Sequence, residues 1–398
     1  MKILYTDIHL HSLNPTNTLL SAMIATAAHV TRYGPGYVSG EVLAKGIERF
    51  IDATGPYDAL FIGPNVPVVN APDTWPVSLA YAQRYAALAP HPKIGMEYLK
   101  DLFTSLPRIA VPLRVASLVT LDYYGTTDAQ IDRLNHLGLH VLAPDLSFAQ
   151  RIAELPAWAS GEKHYQRKKD RLTNAWVDFV LGNPGRVLSS LHFVAENEFF
   201  FRSLDQRSTH ASVPGAEYLQ RAQAKNSLKK KGIRPASKLL FHTYKVLSKL
   251  GLPVYSRFLP LRIFNISYQA GLLDTRFVYT ARGGFGIPVR KFLEIPAAGA
   301  MMVCSPPLGF ADMGFIDGEH YLEATPDEAP DLILELSRDI GRAQGIACKA
   351  QQLVWDLHSL SARAAQLRRC LESIRSGKYL GSYWRAGEFV VEERQFAD

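Results

Sequence analysis

Apolar stretches of two kinds alternate along the first part of the chain. Residues 2–8 (KILYTDI) carry the short, nearly continuous apolar character of a buried strand, and the alanine-rich run 19–31 predicts the helix that follows it. The pattern then repeats. Residues 39–54 predict a helix, 59–62 a short buried strand, 75–88 a helix and 114–121 a strand. Residues 128–137, closed by Gly138, predict a helix leading into a strand at 139–143. Strands alternating with helices imply a parallel sheet covered on both faces, an α/β class of fold.

The second half repeats the alternation with different spacing. Residues 235–250 have helical periodicity stopped by Gly251 and Pro253, 276–280 read as a strand and 301–304 as a fully apolar one. Residues 326–339 predict a helix, and 346–375 a long helical region rich in Ala, Leu, Gln and Arg. The Pro-Gly turn in VPGAEYLQR, residues 213–221, marks the expected linker between a domain at 1–215 and one at 216–375. The aromatic tail, 376–398, is expected to pack back on the body. No repeat or low-complexity linker interrupts this order.

With 398 residues, 47% of them hydrophobic, the chain can bury two large cores. No apolar run reaches the roughly eighteen residues of a spanning helix, and the start, MKILYTDIHLH, reads as a strand rather than a signal peptide. The expected location is therefore cytoplasmic. Cys304, Cys348 and Cys370 form neither a paired framework nor a metal spacing, and are read as packing residues. The net charge of +7 is unevenly placed, because residues 218–273 contain no Asp or Glu. Lys and Arg interleaved with leucines over 225–262 suit an anionic membrane surface on its inner face, or a covering helix. They fit a nucleic-acid groove with stacked aromatics less well.

The stretch 279–307 holds the densest chemistry. Gly283, Gly284 and Gly286 allow a tight turn after a strand, Pro288 suits the first position of a helix, and Arg290 and Lys291 fall in its first turn. Unpaired amides and the positive end of a helix favour an anion there, a nucleotide diphosphate above all. An NAD-dependent oxidoreductase is the rival reading, since Gly284 and Gly286 begin a G-x-G. Val289 stands where the third glycine belongs, and the motif comes late in the chain.

The residues RKFLEIPAAGAMMVCSPP (290–307), FIDGEHYLEAT (315–325) and WDLHSLSARAAQL (355–367) resemble the nucleotide-sugar-binding half of GT-B glycosyltransferases, in the CgeB-like group related to glycosyltransferase family 4. The resemblance implies two Rossmann-like domains facing each other across a cleft, the C-terminal one holding the sugar nucleotide and the N-terminal one the acceptor. It implies a metal-independent transfer, with retention of configuration, to a cell-envelope glycan or lipid-linked acceptor. It places the donor diphosphate at Gly283, Gly284 and Gly286 with Arg290 and Lys291 nearby, and puts Glu294 on the ribose, where a carboxylate can accept from two vicinal hydroxyls. The simpler alternative for Glu294 is a pair with Arg290 one helical turn away. One departure stands out: eight positions before Glu294, where family 4 enzymes often carry a second glutamate, this chain has Gly286. A non-catalytic sugar-nucleotide-binding protein shares all these features.

In the first domain, ligands belong in loops at the carboxyl ends of strands. Three loops qualify: Asp7, His9, His11, Ser12 and Asn14; residues 33–37 (YGPGY); and Asp122 with Tyr123, Tyr124 and Gly125. Asp122 is the candidate base or sugar ligand, its alternative being a helix cap, and His11 the candidate near the donor phosphates. His9 and His11 share a face as metal ligands could, but no carboxylate or cysteine accompanies them at suitable spacing. His358 reads as capping or packing, while Glu196 and Glu198 are further cleft candidates.

Overall fold

The computed structural model describes residues 1–9, 15–66, 68, 92–118, 126–143, 175–215, 219–235, 250, 258–282, 286 and 288–395. The expected helices at 75–88 and, for nearly all of its length, 235–250 lie outside them, as do His11, Ser12, Asn14, Asp122, Tyr123, Tyr124, Gly125, Gly283 and Gly284. Two parallel sheets organise the rest, the α/β architecture that the GT-B resemblance implies. Strands β1 (Lys2–Thr6), β2 (His29–Tyr33), β3 (Ala59–Ile62), β4 (Leu113–Ser117), β5 (His140–Ala143) and β6 (Val187–Ser189) form the first, in the order β2-β1-β3-β4-β5-β6. Strands β7 (Thr209–Ser212), β8 (Thr275–Ala281), β9 (Met301–Ser305) and β10 (Leu322–Glu323) form the second, in the order β10-β9-β8-β7.

The helices connect these strands. In the first half they are α1 (Pro15–Ala27), α2 (Gly40–Ala44), α3 (Ile47–Thr54), α4 (Pro92–Ser105), α5 (Asp128–His136) and α6 (Ala175–Gly182). The second half has α7 (Leu219–Lys230), α8 (Phe258–Asp274), α9 (Lys291–Ala297), α10 (Ala329–Arg338), α11 (Ile340–His358) and α12 (Leu360–Arg375). Strand alternation sorts the cores. In β1, Ile3 and Tyr5 face the cluster that runs between the two halves while Leu4 faces the outer core; in β9, Met302 and Cys304 face the shared cluster while Met301 and Val303 face away.

Several elements differ from the periodicity. The helix expected over 19–31 stops at Ala27, and the β-branched residues Val30 and Thr31 join β2, paired with Ile3 and Leu4. The helix expected over 39–54 is two helices. It breaks at Gly46, whose φ of 83° is left-handed, and Asp101 Oδ2 accepts from the Ile47 amide at 2.8 Å to start the second piece. The long helical region breaks at Ser359, which is extended and caps α12 by accepting from the Ala362 amide at 3.2 Å.

The expected linker at 213–221 also has a different place. Thr209–Ser212 already pairs with β8, so the turn at Pro214 and Gly215 is a loop at the carboxyl end of β7 inside the second sheet's domain. The chain crosses between sheets earlier, at 190–208. Arg207 pins the end of that crossover: it is 1% exposed and donates to the carbonyls of Leu272 at 3.1 Å, Thr275 at 3.0 Å and Ala298 at 2.7 Å. A buried cation is tolerable among carbonyls near helix carboxyl termini. After α12 the tail folds as the antiparallel hairpin β11 (Tyr379–Arg385) and β12 (Glu388–Glu393). It covers the edge strand β6, with Ser382 Oγ accepting from the Ser189 amide at 2.8 Å and Trp384 1% exposed.

Candidate functional site

Sheet order fixes where ligands can approach. In the first sheet β1 has β2 on one side and β3 on the other, so the direction of winding reverses at β1. Asp7 lies at the carboxyl end of that strand, 1% exposed, and accepts hydrogen bonds from Tyr5 Oη, the Ile8 amide, and both the amide and Nδ2 of Asn65, all between 2.9 and 3.1 Å. Burial pushes its carboxyl up to about 7 against the pull of those donors. Four partners fill a carboxylate's usual capacity. Asp7 is a knot tying the loops after β1 and β3, not an open base. His9 donates its amide to Pro35 at 2.8 Å and leans on Tyr37, ring centroids 4.9 Å apart.

The candidate donor site lies at the carboxyl ends of β7 and β8. Gly286 takes a φ of 72° that favours glycine, and its carbonyl accepts from the Leu308 amide at 2.9 Å, which ties the turn to the loop after β9. The following helix does not begin at Pro288. Arg290 is its capping residue and α9 runs only seven residues, to Ala297. The sequence placed Arg290 and Lys291 together beside a diphosphate, but their side chains go to different places.

Arg290 turns inward, 6% exposed. Its Nε donates to the Phe193 carbonyl at 3.0 Å, Nη1 to Glu294 Oε1 and Nη2 to Glu198 Oε2. The pairing of Arg290 with Glu294 along the helix therefore exists, with Glu198, 92 positions upstream, completing a triad. Glu294 Oε2 accepts from Tyr268 Oη at 2.9 Å. Burial acts to raise the Glu294 carboxyl, but Arg290, Lys291 and the Tyr268 hydrogen bond together outweigh it and hold it below the ordinary glutamate value.

Lys291 points the other way, to the Pro-Gly turn after β7. A Cβ at Gly215, whose φ is 95°, would stand 2.4 Å from Lys291 Cε, 3.0 Å from its Nζ and 3.3 Å from Arg221 Nη1. Glycine there lets two cations approach one backbone turn. Burial lowers the Lys291 ammonium to about 8, with Arg221 and Arg290 adding to the effect and Glu294 opposing it. Arg221, within the acid-free segment 218–273, is 2% exposed and donates to the Ala281 carbonyl at 3.0 Å. It shares the buried face of α7 with Ala224, Lys225 and Leu228. Among the described residues of that segment, Lys231 pairs with Asp331 at 2.7 Å, and Ser227 donates to Asp327 at 2.6 Å.

His192, in the crossover, joins the two halves at this point. Its Nδ1 is 3.3 Å from Thr16 Oγ1 in the first turn of α1, and it lies within the electrostatic reach of Arg290, Glu294 and Lys291. Burial, reinforced by Arg290, lowers it to about 4, so the imidazole is neutral near neutral pH. Nothing local in the sequence singles it out, and only the meeting of α1 with the crossover brings it here. Glu196 serves elsewhere, accepting from the Ser361 amide at 2.9 Å. His358 is wholly buried between the Met313 carbonyl and Arg363, each 2.8 Å away, and is a packing residue. Cys304 and Cys370 are buried, Cys348 is exposed, and all three are free. Among the described residues no cluster could hold a metal ion, and no helix is long and apolar enough to cross a membrane.

Residues 262–369 match a family model described as glycosyl transferase-like, so this stretch, which contains Tyr268, Gly286, Arg290, Lys291 and Glu294, is a glycosyl transferase-like domain. It is set in a frame of two parallel α/β sheets. Among solved structures, HepE of Anabaena in complex with UDP is similar over 94% of this chain and 100% of its own, at 13% identity and a TM-score of 0.47. The sucrose-phosphate synthase of Thermosynechococcus elongatus is similar over 95% and 100%, at 10% identity and a TM-score of 0.46. The lipopolysaccharide outer core galactosyltransferase WaaB is similar over 94% and 100%, at 11% identity and a TM-score of 0.42. No curated protein matches the chain.

Proposed function

We propose that this protein is a glycosyltransferase that takes a sugar from a nucleotide donor and passes it to a hydroxyl of a glycan or lipid-linked acceptor of the cell envelope. The observation that carries the reading is the approach of Lys291, one helical turn from Glu294 within the stretch that matches the glycosyl transferase-like model, to Gly215 and Arg221 at the carboxyl end of β7 and the start of α7. Lys291 and Arg221 face the diphosphate and stabilise the charge that grows on it as the glycosidic bond breaks. Glu294 has spent one acceptor position on Arg290 and one on Tyr268 and keeps two for the ribose hydroxyls. Gly283, Gly284 and Gly286 are assigned to the diphosphate in this reading, His11 is the candidate near the donor phosphates, and Asp122 is the candidate base or sugar ligand. Retention of configuration, and transfer without a metal, complete the reading.

Thermal shift with UDP, GDP, CMP and dTDP tests the donor class, and UDP-glucose, the ligand of a HepE crystal, is a suitable first sugar nucleotide for following slow donor hydrolysis. Stabilisation by one nucleotide, with release of sugar, is expected. Stabilisation by NAD alone would overturn the assignment, and nucleotide binding without any turnover would leave a binding protein.

A further inference from the structure

The Arg290 triad has a property that neither the family match nor the donor reading assigns. Glu198 belongs to the crossover at 190–208, while Glu294 belongs to α9 of the donor-side domain, and one guanidinium serves both. The crossover is itself held from the opposite side. The Val194 amide donates to the His358 carbonyl at 3.2 Å, and the Leu360 amide donates to the Val194 carbonyl at 2.8 Å. The segment leading from the first sheet to the second is thus bonded, side by side, to the break between α11 and α12. Arg290 reaches into this two-stranded junction through both Phe193 and Glu198.

Guanidinium geometry makes the sharing consequential. An arginine facing a single carboxylate tends to engage both oxygens in a fork. Here Nη2 is taken by Glu198, so Arg290 meets Glu294 through Nη1 and Oε1 alone, and Oε2 is left to Tyr268. Glu198 has its own anchor, since its Oε2 also accepts from the Ala195 amide at 2.7 Å.

Resting on the proposed donor function, we infer that Glu198 is a positioning residue: by holding Arg290 to one oxygen of Glu294, it keeps that carboxylate open to the donor's ribose and couples donor affinity to the interdomain junction. Removing the Glu198 acceptor frees Nη2 to close the fork on Glu294, which displaces Tyr268 and fills the acceptor positions the ribose needs. The inference separates Glu198 from a merely structural acid, whose loss would lower stability without touching donor affinity.

The test uses the full chain and whichever of UDP, GDP, CMP and dTDP stabilises it. Glu198→Leu, which offers Nη2 no acceptor, is expected to weaken binding of that nucleotide by about tenfold or more, the scale of a hydrogen bond to a charged group. Glu198→Asp keeps the carboxylate and should recover part of the loss. In a Glu294→Gln background, Glu198→Leu should weaken binding no further, because the carboxylate it protects is gone. A wild-type chain that binds none of the four removes the donor reading and the inference with it. Wild-type binding that Glu198→Leu leaves unchanged, or an equal loss in both backgrounds, overturns the inference alone.

Discussion

Replacing Arg290 with alanine exposes how α9 is held to the crossover between the two sheets. The Arg290 side chain is 7% exposed and bridges two carboxylates whose side chains are 12% and 13% exposed. Its loss leaves two shielded acids side by side with no counter-charge. Removing one partner of a buried ion pair costs about 3–5 kcal/mol, mostly the penalty of the charge left behind. For a cooperative unit of about 150–250 residues that corresponds to a fall in Tm of roughly 6–20 °C. The pH dependence has a definite sign. In the wild-type protein Glu294 sits below its ordinary value, so its contribution to stability is present above that value and is lost as pH falls through the lower folded value. In Arg290→Ala burial dominates and the carboxyl rises, so the variant loses stability as pH rises toward neutrality. Differential scanning fluorimetry of both proteins from about pH 5 to about pH 8 reads the gap directly, and it should be widest at the upper end. A variant within about 1 °C of wild type at neutral pH, or a gap that widens on acidification, would refute the reasoning.

Further outcomes follow from the same geometry. Nucleotide affinity should fall as pH rises through about 8, where Lys291 loses its proton, and Lys291→Ala should bind weakly with no such break; a flat profile in the wild-type protein would separate Lys291 from the diphosphate. His192, lowered to about 4, should show no imidazole titration by NMR across the neutral range, and a midpoint near the ordinary histidine value of about 6.5 would place it in contact with solvent instead.

How much of this was legible in the sequence depends on the distance over which each feature is decided. Strands β1, β3, β8 and β9 were visible because a buried parallel strand is apolar on both faces, and nothing beyond the segment is needed to see that. Strand β2 was hidden by the alanines before it, which prolong a helical signal that Val30 and Thr31 end only by pairing with β1. The breaks at Gly46 and Ser359 are secured by Asp101 and Val194, residues remote in sequence. Lys291 and Glu294 lie within one motif, so both are candidates from the sequence alone. Their inner support was legible only in part: Glu198 stood as a cleft candidate without its partner, because Glu198 and Tyr268 are 92 and 26 positions from the residues they bond, and the basic run gave no hint of the buried face that holds Arg221.

The central claim is that Glu294 and the cations beside Gly215 form a nucleotide-sugar donor site. Isothermal titration of the wild-type chain and of Glu294→Gln with UDP, GDP, CMP and dTDP tests it most directly. The account predicts that one nucleotide binds the wild-type protein and binds Glu294→Gln about tenfold or more weakly, with the variant still folded. Equal binding to both proteins, or binding of no nucleotide by the wild type, would contradict it.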